Sequence, residues 1–313
     1  MYYLAVDGGG TKTDYAIIDG SGRIVDQYEG EGTNHETFPD SYEGMYFVLY
    51  EAIHAMLLKN NISVDRIKDA VLGLAGADHE YQKQEIGLRL ERIGLKRYFI
   101  CNDGFLPVKS ETEHGVGIAY NCGTGVCCDA INSEGQMLQL GGLGWHSGDL
   151  CGGNVIVEKS FAAMYGELFL NEPKTLISDL YCEEFRLNSK SEIYDSIRLL
   201  GEDPSYRKRT ISVFFKALDL GDSVAEKIAR DMVHRGVQYV SSAYRILKFD
   251  GRTEIILTGG IHTKANSKRY VAMFCEELER VLSGMAEFKI AQSKPVWGAI
   301  KWVAERNGIK INR

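Results

Sequence analysis

The sequence predicts an α/β chain organised as two similar domains, and glycine-rich strand ends predict it. The first apolar run, Tyr2-Tyr3-Leu4-Ala5-Val6, passes straight into Asp7-Gly8-Gly9-Gly10-Thr11-Lys12-Thr13. A shift of 113 positions then superimposes Gly10-Thr11 on Gly123-Thr124, Ile18 on Ile131, Asp19 on Asn132, Gly22 on Gly135 and Ile24-Val25 on Met137-Leu138. Each copy reads strand, Gly-Thr turn, strand, tight turn, strand. A third run, Glu254 to Thr258, ends in Gly259-Gly260. Two such units suggest two α/β domains facing each other, each presenting one turn to a shared cleft. Turn residues recur freely in hairpins, so chance alignment is the competing account of the repeat.

The first turn has a chemistry of its own. Glycines bring backbone N–H groups close to phosphate oxygens, and Thr11, Lys12 and Thr13 add donors. Asp7, at the strand end, suits Mg²⁺ or a water bound to it. The same residues also suit a plain hairpin turn, because Asp19-Gly20-Ser21-Gly22 soon closes a second strand, Asp14 to Asp19.

The remaining elements follow from periodicity. Residues 41–60 place Tyr46, Leu49, Ile53 and Met56-Leu57 at helical spacing. Residues 68–75 read as a buried strand, 80–93 as a helix, and Tyr98 to Cys101 as a short strand ending at Asn102-Asp103-Gly104. Residues 153–169 and 222–248 read as long helices, the second with Val224, Ile228, Val233, Val237 and Val240 on its apolar side. Residues 171–221 carry no motif and are expected to be helical. A domain change is expected near 114–117, giving domains of 1–116 and 117–294. Pro295 suits a first helical turn.

Composition narrows the function classes. With 313 residues, 44% of them hydrophobic, the chain has material for two ordinary cores. No apolar run reaches the roughly 18 residues that span a bilayer, so no membrane partner and a cytoplasmic location are expected. A net charge of −7 argues against nucleic acid as a partner, while leaving ATP possible through backbone N–H groups and Mg²⁺. The basic run Tyr206-Arg207-Lys208-Arg209 reads as a solvated helix face. The seven cysteines form neither a CxxC pair nor a Cys/His zinc pattern, which fits reduced thiols. Cys122, Cys127, Cys128 and Cys151 nevertheless cluster around the expected cleft.

Taken together, Asp-Gly-Gly-Gly-Thr-Lys-Thr at 7–13, Gly-Thr-Asn-His at 32–35, Asn-Asp-Gly at 102–104, Cys-Gly-Thr-Gly at 122–125, Gly-Trp…Gly-Asp at 144–149 and Thr-Gly-Gly at 258–260 resemble the N-acetylglucosamine kinase group. That group sits beside the BadF/BadG/BcrA/BcrD-type ATPases in the actin, hexokinase and Hsp70 superfamily, and the likeness runs from residue 4 to about 304. It implies two ribonuclease H-like domains with mixed five-stranded sheets flanking an interdomain cleft, and a final helix over 295–313 that packs back against the first domain. It also implies an ATP- and Mg²⁺-dependent kinase that phosphorylates the 6-hydroxyl of N-acetylglucosamine or N-acetylmuramic acid. A glucosamine or other hexose kinase is the neighbouring possibility. Dehydratase activators, which use ATP to drive electrons from a cysteine-held iron–sulfur cluster, are the alternative of another class. Domain closure over both substrates is implied as well, and so is a homodimer.

The resemblance distributes roles residue by residue. Gly9, Gly10, Thr11, Lys12, Thr13, Gly123, Thr124, Gly125, Gly259 and Gly260 would hold ATP, with Asp7 at the metal. Asn34, His35, Asp103, Thr124, Gly144 and Asp149 would hold the sugar, and Asp103 would be the general base. From spacing alone Asp103 equally suits a helix N-cap, and Asp149 could cap the helix that follows it. The chain departs from the family where Glu-Gly-Ser after Gly148-Asp149 becomes Leu150-Cys151-Gly152. It departs again where Leu143 replaces a tryptophan, with Trp145 displaced by two, and where Val126 replaces the serine after Gly-Thr-Gly.

Overall fold

The computed structural model describes residues 1–199, 203–264 and 267–311, and the chain divides into two compact units, Met1–Val116 with Gln292–Arg313 and Gly117–Ala291. The first unit opens with β1 (Tyr2–Gly8), β2 (Lys12–Asp19) and β3 (Ile24–Glu31), then α1 (Tyr42–Lys59), β4 (Ile67–Leu74), α2 (Glu80–Ile93), β5 (Tyr98–Cys101) and α3 (Leu106–Glu111). Its sheet has the order β3-β2-β1-β4-β5. β1 pairs antiparallel with β2 and parallel with β4, which puts Asp7 opposite Asp14 on one side and Gly73 on the other. Alternation along a strand sends successive side chains to opposite faces. Leu4 and Val6 therefore join the core built with Leu49, Ile53, Ile86 and Leu90 of the two helices, while Tyr3 and Ala5 are buried on the other face.

The second unit repeats the plan. It contains β6 (Gly117–Cys122), β7 (Val126–Ile131), β8 (Met137–Gly141), α4 (Gly153–Phe169), α5 (Leu176–Phe185), α6 (Glu192–Ser196), α7 (Pro204–Asp219), α8 (Ser223–Ile246), β9 (Thr253–Thr258), α9 (Gly260–Thr263), α10 (Lys268–Leu282) and β10 (Ala286–Ile290). The sheet order, β8-β7-β6-β9-β10, matches the first strand for strand, again with an antiparallel meander followed by parallel neighbours. The 113-residue shift is therefore a true structural repeat, and the α/β architecture with two mixed five-stranded sheets is confirmed.

Most expected elements fall within two residues of their predicted bounds, with two informative differences. β2 starts at Lys12 rather than Asp14, which draws Thr13 out of the turn and into the sheet. On α8 the fully buried stripe is Ala225, Ala229, Met232, Val233, Gly236, Val237, Val240 and Ala243, so Val224 and Ile228 sit at its margin. Small residues let that helix lie close to the sheet, and an apolarity count alone overlooks them. The stretch 171–221 is helical as α5, α6 and α7, except that 200–202 lie outside the described residues. Its basic run is half solvated: Tyr206 is buried, while the Arg209 guanidinium pairs with Glu184.

The last helix, α11 (Val296–Arg306), belongs to the first unit. Trp302 packs on Phe99, Lys109 Nζ donates to Glu305 at 2.8 Å, and Arg306 Nε donates to the fully buried Asp69 at 2.9 Å. Among the described residues no helix is long and apolar enough to cross a membrane.

Candidate active site

In the first unit, three chain segments bring acidic and amide side chains together. Asp7 leaves β1 just before the glycine turn, which closes with Gly9 N–H donating to Lys12 O at 2.9 Å and Thr33 N–H donating to Gly9 O at 2.9 Å. Burial pushes the Asp7 carboxyl up to about 7, and the negative charges of Asp103 and Asp14 push the same way against Lys12 and Lys294. The turn's own polar side chains are partly committed. Lys12 Nζ donates to Asp14 at 3.0 Å and to Glu29 at 2.8 Å, hydrogen bonds that raise it to about 12. Lys294 completes this four-charge cluster by donating to Asp14 at 3.0 Å. The Thr13 hydroxyl is buried against Thr33 at 2.9 Å. Gly10 and Thr11 stay exposed at the tip.

The second segment follows β3. Asn34 Oδ1 accepts from Glu36 N–H at 3.0 Å and so starts a short 3₁₀ turn over His35–Thr37. His35 is buried and stacked on Tyr42 with ring centroids 4.2 Å apart, its Nδ1 without a hydrogen-bond partner. Burial lowers its pKa, keeping the ring neutral. Against this turn runs Gly76, with φ of +79°; a methyl group there would stand 2.6 Å from Asn34 Oδ1 and 3.0 Å from His35 Nδ1. Only glycine allows that approach at that backbone angle.

The third segment carries Asp103 at the end of β5, opening a 3₁₀ turn over Asp103–Phe105 that leads into α3. The capping role that spacing left open is taken by Asn102, whose Oδ1 accepts from Gly104 N–H at 2.8 Å. Asp103 thus keeps a solvent-touched carboxylate that does not cap the turn. Burial pushes it up to about 6, and the charge of Asp78 adds to the rise. Asp78 went unnoticed in the sequence. It lies just after β4, its backbone N–H held by Gln82 Oε1 at 3.0 Å, and its Oδ1 accepts from Asn102 Nδ2 at 2.8 Å. A carboxylate perturbed by burial and by a specific charged neighbour, at the mouth of a strand, is a candidate acid–base group.

The second unit contributes backbone rather than loose charge. Its repeat turn closes with Gly123 N–H donating to Gly125 O at 2.9 Å and is tied to the start of α4 by Gly153 N–H to Gly123 O at 2.8 Å and Asn154 N–H to Thr124 O at 3.1 Å. Gly152, at φ of +94°, makes that contact possible: a methyl group there would meet Thr124 O and Gly125 O at 2.9 and 2.8 Å. Gly259 and Gly260 flank the same turn, the Gly260 nitrogen 3.9 Å from where a side chain on Gly123 would begin. Thr124 and Gly125 are exposed above this three-part floor. Glycine turns stacked beside helix starts are the usual build of an anion cradle.

Asp149 is more occupied. Its Oδ2 accepts from Gly142 and Gly144 N–H at 3.0 and 2.8 Å, and its Oδ1 from Ser147 Oγ and Tyr239 OH at 2.8 and 2.6 Å. It does not cap α4, whose N-cap is Gly152; it braces the loop that holds Gly144. Leu143, Trp145 and Leu150 stand exposed on that loop. Cys122, Cys128 and Cys151 are buried, and burial pushes Cys151 up to about 11, so it is held as a thiol. Among the described residues no group of three or more His, Cys, Asp or Glu side chains could hold a metal by themselves.

A model of the BadF/BadG/BcrA/BcrD ATPase family matches residues 4–303. The chain belongs to this family. Among curated relatives of this BadF/BadG-type chain, the N-acetyl-D-glucosamine kinase of Dictyostelium discoideum is 24% identical over 275 residues, covering 82% of this chain and 84% of the relative. Among solved structures, a Chromobacterium violaceum protein assigned as an N-acetylglucosamine kinase superimposes with a TM-score of 0.67 at 18% identity, over 96% of this chain and 97% of that one. A ROK family glucokinase from Streptomyces griseus, in complex with glucose and AMPPNP, gives 0.55 at 17% identity over 98% and 100%. These structural likenesses establish the sugar-kinase-like fold of this family member.

Proposed function

We propose that this ATPase-family chain is a kinase that transfers the γ-phosphoryl group of ATP to the 6-hydroxyl of an N-acetylated amino sugar. N-acetylglucosamine is the leading acceptor and N-acetylmuramic acid the close second. The observation that carries the reading is Asp103: a raised carboxylate, not used for capping, in the unit that also holds Asn34 and the first glycine turn. A base in that position takes the proton of the acceptor hydroxyl as its oxygen attacks, and the protein otherwise works by positioning and charge. The curated relative named as an N-acetyl-D-glucosamine kinase supports the reaction class.

For ATP, the first unit offers Gly9, Gly10, Thr11 and Lys12, and the second offers Gly123, Thr124, Gly125, Gly259 and Gly260. Thr13 would support the first turn from within the sheet. Asp7 fits Mg²⁺, because it is a largely buried carboxylate flanked by two acids, with no hydrogen-bond donor to it among the described residues. Mg²⁺ commonly binds through one or two carboxylates and the substrate phosphates, and when bound it neutralises charge on those phosphates. For the sugar, the first unit offers Asn34 and His35, and the second offers Thr124, Gly144 and Asp149, the last by bracing the Gly144 loop. Leu150, in place of a glutamate, removes a negative charge that would repel the carboxylate of N-acetylmuramic acid. A homodimer is the expected assembly, to be read from mass in solution.

The test is ATP consumption against N-acetylglucosamine, N-acetylmuramic acid, glucosamine and glucose, with iron measured on anaerobically purified protein. Sugar-dependent turnover with an acetylated acceptor supports the reading. Sugar-independent ATP hydrolysis by an iron-containing protein would overturn it in favour of an electron-transfer activator.

A further inference from the structure

Asp78 has no place in any motif, yet it stands beside Asn102 and its charge reaches both His35 and Asp103, residues of the first unit proposed for the acceptor side. The chain leaves β4, passes Gly76 against Asn34 and His35, and presents Asp78 to Asn102, whose Nδ2 donates to Asp78 Oδ1 at 2.8 Å. The other end of the same amide, Asn102 Oδ1, accepts from Gly104 N–H at 2.8 Å and so fixes the turn on which Asp103 rides. Asp78 is itself clamped. Gln82, buried in α2, accepts through Oε1 from the N–H groups of Asp78 at 3.0 Å and His79 at 2.7 Å. The relay from helix to base is continuous: Gln82, Asp78, Asn102, Gly104, Asp103.

Each link has a physical reason to be stiff. A charge-assisted hydrogen bond is roughly twice as strong as a neutral one, so the amide of Asn102 has one preferred orientation. An amide held at both ends cannot flip without breaking two bonds. Asp78 does not need to touch the substrate to matter, because a displacement of about 1 Å at a catalytic group costs on the order of 10²-fold in rate. We propose that Asp78 is a positioning residue that holds Asn102, and through it the Asp103 turn, in the geometry for proton abstraction from the acceptor hydroxyl. This rests on the kinase reading, and on Asp103 as its base.

The experiment measures kcat and both KM values for the wild type, Asp78→Ala, Asp78→Asn, Asn102→Ala and the Asp78→Ala/Asn102→Ala double variant, with thermal unfolding of each. Asp78→Ala is expected to lower kcat by about 10- to 100-fold with the sugar KM within about threefold. Asp78→Asn keeps an oxygen for Asn102 Nδ2 and is expected to recover most of the lost turnover. The double variant is expected to be no slower than the worse single one, since both break one relay. Unchanged kcat in Asp78→Ala, an Asp78→Asn enzyme as slow as Asp78→Ala, or losses that multiply in the double variant would each overturn the proposal. Should Asp78→Ala not fold, Asp78→Asn and Asn102→Ala decide alone: a fast Asp78→Asn enzyme beside an Asn102→Ala enzyme with low kcat and ordinary sugar KM upholds it, and ordinary kcat in Asn102→Ala sinks it. A wild type that phosphorylates no amino sugar overturns the kinase reading and this inference together, whereas an active wild type with indifferent variants overturns only this one.

Discussion

The two units share a strand plan but spend their polar groups differently. In the first, Asp7 and Asp103 are carboxylates raised to about 7 and about 6 because burial and acidic neighbours disfavour their charge. In the second, Asp149 accepts four hydrogen bonds and the glycine turn is laced to the start of α4. One half keeps carboxyls whose protonation can change; the other keeps stiff backbone. In the proposed kinase a base must be ready to change protonation while a phosphate cradle must not move, and the two units carry these properties separately.

The contrast breaks most severely at Asp103. Asp103→Asn is expected to cut turnover by about 10²-fold or more while leaving sugar binding largely in place, as for loss of a general base. Near-normal turnover in steady-state assays would remove Asp103 from the mechanism. The pH dependence has opposite signs for activity and stability. A base must be ionised, so kcat/KM should fall as pH drops through about 6. Stability runs the other way, because the folded chain keeps this proton to about pH 6 while an unfolded aspartate releases it near 3.8. Between roughly pH 4 and 6 the unfolded state binds fewer protons, and this residue withdraws roughly 1–3 kcal/mol as pH rises. In metal-free buffer at pH 8 the Asp103→Asn variant should therefore melt above the wild type. A lower melting temperature at pH 8 would contradict that assignment.

On the stiff side, Gly152→Ala tests the cradle. Its positive φ costs an alanine about 1–2 kcal/mol, and the new methyl meets two carbonyl oxygens. The expected result is an ATP KM raised by about tenfold and a melting temperature several degrees lower. Gly10→Ala is the matched control in the first unit, because nothing stands within 4 Å of its added methyl. It should melt like the wild type and weaken ATP alone, if phosphate approaches the backbone there. Equal destabilisation by both substitutions would erase the distinction between the halves.

Asp149→Ala is expected to act through a surface loop rather than a core. Four donors lose their acceptor, worth about 1–3 kcal/mol in all once solvent replaces it. The sugar KM should rise by about tenfold with kcat less affected. An unaltered KM would show that the Gly144 loop does not frame the acceptor.

How much of this was legible depended on the distance over which each signal acts. Strands and helices follow local periodicity, so β5 and α4 are where the pattern puts them, and the repeat exposed the matching sheets. Asp103 was visible through the turn that carries it. Asp78 was not, because Ala75-Gly76-Ala77-Asp78-His79 spells no motif and its partner Asn102 lies 24 positions away. Capping was ambiguous for the same reason: Asn102 and Asp103 are adjacent candidates, and only the backbone angle at the turn decides which one caps.

Thr13 is where a local reading met a non-local fact, and it gives the mildest prediction. Grouped with Thr11 and Lys12, it reads as a phosphate donor; with β2 beginning at Lys12 it is a buried residue bonded to Thr33 at 2.9 Å. Thr13→Val should leave the ATP KM within about twofold. It should cost about 1–2 kcal/mol of stability, because the Thr33 hydroxyl loses its partner inside the protein. Replacing both threonines with valine removes the stranded hydroxyl and should recover part of that loss, since two apolar groups of similar shape fill the space. A Thr13→Val enzyme that folds normally but binds ATP ten times more weakly would return Thr13 to the phosphate. Part of the second unit's division of labour, backbone fixed and donors committed, would then be missing from the first unit's turn.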